Sequence, residues 1–177
     1  LIGAVVDMPF AVSPVVIGLA LILVYGTGGW FGADLAAVGI QVIFSTPGIV
    51  MAVIFVSLPF VAREVIPVLQ EIGDDAEKAA ETLGASAWQT FRKITLPAIR
   101  WGVSYGIVLT TARALGEFGA VTVVSGNITG ETQTLPLYVS QQFELFNSVG
   151  AYSASLILAI LALGTLLAMN LMRRGED

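Results

Sequence analysis

Asp74-Asp75-Ala76-Glu77-Lys78-Ala79-Ala80-Glu81-Thr82-Leu83-Gly84-Ala85-Ser86-Ala87-Trp88-Gln89-Thr90-Phe91-Arg92-Lys93-Ile94-Thr95-Leu96-Pro97 is a polar island in an apolar chain. Ala76, Ala79, Ala80 and Leu83 fall at i, i+3, i+4 and i+7, so they predict one face of a short helix that Asp74 and Asp75 open as N-terminal acids. Glu77, Lys78 and Glu81 take the opposite face. Small alanines on a stripe let another protein's backbone approach, and Gly84 permits a turn that Ala would resist. Beyond it, Ala87, Phe91 and Ile94 share a second helical face with Trp88 beside them, and Leu96-Pro97 is expected to end that helix. The segment from Arg63 to Arg100 thus predicts two short helices joined at Gly84. A helix lying on anionic lipid would carry Lys and Arg on its polar face; this one carries more acids than bases.

Outward from this island the chain is that of a membrane protein. Of its 177 residues, 56% are hydrophobic and 12% charged, about half the charge of a soluble domain. Gaps between charges mark spans over residues 8–33, 35–62 and 145–172. A fourth, 101–124, carries Arg113 and Glu117. Pro9, Pro14, Gly18, Pro47, Gly48 and Pro59 inside the spans predict kinks that neighbouring helices satisfy. A net charge of -5 argues against nucleic acid. The chain holds no Cys and no His, which removes thiol and Ser-His chemistry and HExxH metal sites; no metal site and no catalytic residue are expected.

Basic residues set the orientation. Arg63, Lys78, Arg92, Lys93 and Arg100 lie between spans two and three, and Arg173 and Arg174 follow span four, whereas 26–37 and 125–148 have none. The long middle loop and the C-terminus are therefore expected on the cytoplasmic side. Starting on Leu1, the chain is expected to begin inside a larger product.

Ala79-Ala80, three residues, Gly84, nine residues, Ile94, one residue, Leu96-Pro97 resembles the E-A-A-x3-G-x9-I-x-L-P loop of bacterial ABC importer permeases, with Lys78 in place of the leading Glu and Glu77 one position earlier. Asp7-Met8-Pro9-Phe10-Ala11-Val12-Ser13-Pro14 is similar to a stretch of oxyanion permeases, and Ala112-Arg113-Ala114-Leu115-Gly116-Glu117-Phe118-Gly119-Ala120 to a segment shared by sulfate and molybdate permeases. Val123-Val124-Ser125-Gly126, Gly130-Glu131-Thr132 and Leu135-Pro136-Leu137 resemble the W-type permease subunits of sulfate/thiosulfate importers, matching the C-terminal part of such a subunit.

The resemblance implies an all-α membrane protein: one MetI-like transmembrane domain of a type I ABC importer over residues 1–177, with four spans and a cytoplasmic coupling loop at 63–100. It implies docking of Ala76, Glu77, Ala79, Ala80, Leu83, Gly84, Phe91, Ile94, Leu96 and Pro97 on a cytoplasmic ATPase that binds ATP and Mg, while this chain binds no cofactor. It implies a second homologous permease subunit, a sulfate/thiosulfate-binding protein facing Ser125, Gly126, Gly130, Glu131 and Thr132, membrane lipid around the spans, and residence in the bacterial inner membrane. For the outer segment, a plain connecting loop is the other reading.

Arg113 and Glu117 at i, i+4 can pair within one span, where a lone charge costs about 2.5–3.5 kcal/mol. Two readings stay open: a lock between helices, or a pathway in which Arg113 borders a dianion and Glu117 tempers its attraction, with Phe118 beside it. Gly116 and Gly119 likewise suit either tight packing or a gate hinge. A molybdate or tungstate permease is the near alternative. A channel or secondary carrier would have no use for the docking loop, and an intramembrane enzyme would need an acid pair that Asp7 and Glu117 do not form.

Overall fold

The computed structural model describes residues 12–174, all helix and turn; Asp7 to Ala11 of the N-terminal motif lie outside the described residues. The elements in order are α1 (Pro14–Tyr25), α2 (Gly32–Ala37), α3 (Thr46–Ile72), α4 (Asp75–Thr82), α5 (Ala87–Thr90), a π turn (Phe91–Thr95), α6 (Leu96–Ala114), α7 (Gly119–Val124), α8 (Leu135–Glu144) and α9 (Ser148–Arg174).

Two helices among the described residues are long and apolar enough to cross a bilayer: Thr46–Ile72, and Ser148–Ala168 within α9. At 1.5 Å per residue, the 27 residues of α3 reach about 40 Å. The other expected spans differ. In place of 8–33, the described helix is the twelve-residue α1, because the chain turns at Gly26, whose N–H bonds Ile22 O at 2.8 Å. In place of 35–62, α3 starts only at Thr46. Before it, Gly39 (φ 75°) and Phe44 (φ 60°) hold left-handed backbone, and Ser45 Oγ donates to Val42 O at 2.6 Å. At its other end α3 runs past Arg63 to Ile72, because charge alone does not stop a helix; Gly73 with φ 70° does. The run 101–124 is broken between Ala114 and Gly119.

The prolines divide into two kinds. Pro14, Pro47 and Pro136 occupy the first two positions of α1, α3 and α8, where a missing N–H has no partner to lose. Pro59 and Pro67 lie inside α3. Pro14 and Pro47, expected as kinks, are therefore helix starts. Leu96-Pro97 does not end the loop helix either. Backbone angles stay helical through Phe91 (−55°, −52°) and Leu96 (−61°, −44°), so α5, the π turn and α6 follow one another without a break. The wider π turn sits just ahead of Pro97, where the ring would otherwise crowd the preceding turn.

Ile17, Val42, Ile43, Ala52, Val56, Ala120 and Val124 form a buried cluster that joins α1, the 38–45 segment, α3 and α7. Close approach needs small residues. A Cβ at Gly18 would stand 2.9 Å from both Ala120 O and Val123 Cβ, and one at Gly102 would stand 2.8 Å from Val68 Cγ2. Gly102 and Gly106 are thus the stripe on which α6 lies against α3.

Candidate functional site

Helix α4, expected from the sequence to dock, has no buried residue. Its apolar stripe points away from the rest of the chain: Ala76 and Ala79 are exposed, Ala80 is half-buried, and Leu83 is 88% exposed. Glu77 is half-buried like Ala80, and accepts a hydrogen bond from Thr95 Oγ1. An isolated amphipathic helix would do the reverse, burying its apolar face and exposing its carboxylates. Lys78 forms a 2.7 Å ion pair with Asp74 on the exposed side, and that ammonium holds the Asp74 carboxyl below its usual value, first by hydrogen bond and then by charge.

After α4 the turn is closed by Gly84 N–H to Glu81 O at 2.9 Å and Ala85 N–H to Ala80 O at 3.0 Å, a Schellman pair with Gly84 at φ 86°. Ser86 and Gln89 cap α5 reciprocally. Trp88 and Phe91 stack at 5.8 Å between centroids and are both exposed. Leu96 and Pro97 are exposed as well, while Ile94 is half-buried. The loop therefore presents Ala76, Ala79, Leu83, Trp88 and Phe91 to whatever lies beyond it.

At the break, Arg113 closes α6 and its Nη1 donates to Glu117 Oε2 at 2.9 Å. The pair spans the break rather than lying along a continuous helix face. Glu117 is the fixed member, with a side chain 4% exposed against 33% for Arg113. Its Oε1 also accepts the Ala120 N–H at 3.3 Å. The Arg113 guanidinium lies 4.5 Å over the Phe60 ring, so the break packs against the apolar part of α3 one turn before Arg63. The two glycines part company here. A Cβ at Gly119 would meet Pro14 Cβ at 3.0 Å, a tight contact with α1, whereas one at Gly116 would meet only Arg113 O at 3.7 Å. Phe118 is exposed.

The outer segment is held by its own polar groups. Ser125, fully buried, accepts the Asn127 N–H at 3.0 Å, and Thr132, 5% exposed, accepts the Ile128 N–H at 3.1 Å. Both were expected at a binding-protein surface; burial and these bonds make them the scaffold of the loop instead. Gly126 (φ 71°), Gly130 (φ 82°) and Glu131 remain at the surface. Phe44 N–H donates to Val124 O at 2.8 Å, tying this segment to the start of α3.

Comparison with known proteins gives the family. The family model described as "Binding-protein-dependent transport system inner membrane component" matches residues 1–174. The chain belongs to this family of inner-membrane transport components. Among its relatives, the sulfate transport system permease protein CysW of Synechococcus elongatus is 56% identical over 97% of this chain and 60% of its own length. The CysW protein of Escherichia coli K12 is 49% identical over 98% of this chain and 60% of its own. Sulfate permease 2 of Chlamydomonas reinhardtii is 53% identical over 92% of this chain and 44% of its own. The chain spans about 60% of the length of the CysW relatives it matches.

In this binding-protein-dependent transport component, sequence reasoning missed Phe60 and Thr95. Arg113 needed an aromatic or acidic neighbour, but nothing in the periodicity chooses Phe60 from the apolar residues around it. Thr95 stands at the variable position of the loop motif, between Ile94 and Leu96, where spacing gives no signal.

Proposed function

We propose that this chain is a permease subunit of an ATP-driven sulfate/thiosulfate importer, forming half of the anion pathway and holding no catalytic residue of its own. The observation that carries the reading is the reversed α4, with Glu77 turned in to Thr95 and Ala76, Ala79 and Leu83 turned out. An apolar face left outward on a cytoplasmic loop calls for a protein partner, and in an importer of this family that partner is the ATPase pair. A second homologous permease subunit completes the pathway, a binding protein delivers the anion from outside, lipid surrounds α3 and α9, and the C-terminus lies in the cytoplasm.

The force path runs through this chain's own bonds. Closure of the ATPase pair on ATP displaces α4; the Glu77–Thr95 bond and the unbroken run of α5, π turn and α6 carry that displacement to the break at Leu115. The helices then exchange inward-open and outward-open arrangements. The test is uptake of labelled sulfate into proteoliposomes holding the whole transporter, with ATP and binding protein present. Sulfate accumulation that thiosulfate competes and ATP omission abolishes supports the reading. Accumulation of molybdate in preference to sulfate, or uptake without ATP, overturns it.

A further inference from the structure

We propose that the oxyanion crosses the helix break by exchange, taking the place of the Glu117 carboxylate on the Arg113 guanidinium and yielding it back as the anion moves inward. This rests on the reading of the chain as an oxyanion permease. It adds a release device: Glu117 is a resident competitor that imitates one edge of the substrate.

The two partners are built for different degrees of movement. Glu117 is buried and held at both oxygens, by Arg113 Nη1 on Oε2 and by the Ala120 N–H on Oε1. Arg113 is one-third exposed, and among the described residues its hydrogen bond goes to Glu117 through Nη1 alone. A guanidinium has five donors in a planar fork that suits two oxygens of a carboxylate, phosphate or sulfate group. The edge not used by Glu117 can receive a tetrahedral dianion before the carboxylate lets go. Phe60, 4.5 Å beneath the guanidinium, steadies the cation through the changeover by its ring face.

Position supplies the reason for a competitor. A bare cation two-thirds withdrawn from solvent and packed on the Phe60 ring would hold a dianion strongly and slow its departure. A pair with no net charge attracts less and supplies the group that displaces the anion.

The complete transporter in proteoliposomes tests this, with sulfate binding to the permease–ATPase complex measured separately in the absence of binding protein. Glu117→Gln removes the competitor: sulfate retention should rise about tenfold and ATP-driven turnover should fall by a similar factor. Arg113→Gln should lose retention and turnover together. If Glu117→Gln prevents assembly, the wild-type complex decides the matter through phenylglyoxal labelling of Arg113 read by mass spectrometry; sulfate should slow that labelling and chloride should not. The exchange is overturned if an assembled Glu117→Gln complex matches wild type in retention and turnover, if both variants change retention alike, or if sulfate leaves Arg113 labelling unchanged. Wild-type liposomes that import no sulfate overturn the functional reading and this inference with it, whereas normal wild-type import beside an indifferent Glu117→Gln overturns the exchange alone.

Discussion

Thr95 Oγ1 donates a hydrogen bond to Glu77 across eighteen residues of chain, and so fastens α4 to the root of α6. Leaving a half-buried carboxylate without this donor costs about 1 kcal/mol. Thr95→Val should therefore keep the complex assembled but lower the sulfate imported per ATP hydrolysed severalfold, and Thr95→Ser should restore it. An unchanged ratio in Thr95→Val would remove the bond from the force path.

Gly84 has φ 86°, and no heavy atom lies within 4 Å of where its Cβ would be. The penalty of Gly84→Ala is then one of backbone conformation, about 1–2 kcal/mol, and Gly84→Asn should cost less. Gly84→Trp meets open space within this chain, so its bulk should act on the docking partner. Co-purification of the ATPase should fall while thermal unfolding of the permease shifts no more than for Gly84→Ala.

Gly18 is limited by space instead. A Cβ there would lie 2.9 Å from the Ala120 carbonyl oxygen and Val123 Cβ, so Gly18→Ala should destabilise the α1–α7 contact by about 1–3 kcal/mol. Gly28→Ala, which meets nothing within 4 Å, should stay within about 0.5 kcal/mol. Thermal unfolding in detergent compares the two.

Asp74 titrates below its ordinary value of 3.8 because Lys78 bonds and neutralises its charged form. A lowered folded value means the pair favours the folded helix at pH above the ordinary carboxylate range and loses that effect as pH falls through the folded value. Both side chains are solvent-exposed, so the readout is the titration itself. In Lys78→Glu, which restores the Glu of the loop motif, a like charge replaces the ammonium, and the Asp74 midpoint followed by carbon NMR should rise to 3.8 or above.

Composition and charge spacing made the membrane class, the two short helices joined at Gly84 and the Arg113–Glu117 pair legible, because each rests on local chemistry: apolar run length, helical period, and i, i+4 reach. The boundaries were not legible in the same way. Charge spacing put the end of the second span at Ala62, yet α3 passes Arg63 and stops only at Gly73, since backbone geometry ends a helix and a charge near the membrane edge does not. Pro97 looked like a stop, but a π turn precedes it and the helix continues. The break at Leu115 hides inside a long apolar run because one of the contacts that hold it, Arg113 over Phe60, is tertiary, and the Ala120 N–H bond to Glu117 is a side-chain contact that hydrophobic periodicity does not report. Ser125 and Thr132 were expected at a surface from the family resemblance of their segment; only the folded loop shows their hydroxyls accepting backbone N–H groups inside it.

A chain without Cys allows the orientation of α4 to be read by single-cysteine cross-linking in the assembled transporter. With a short thiol-to-amine reagent, Ala79→Cys should capture the ATPase in good yield and Glu77→Cys, turned toward Thr95, should capture little. Capture of the ATPase from Glu77→Cys with none from Ala79→Cys would contradict the account.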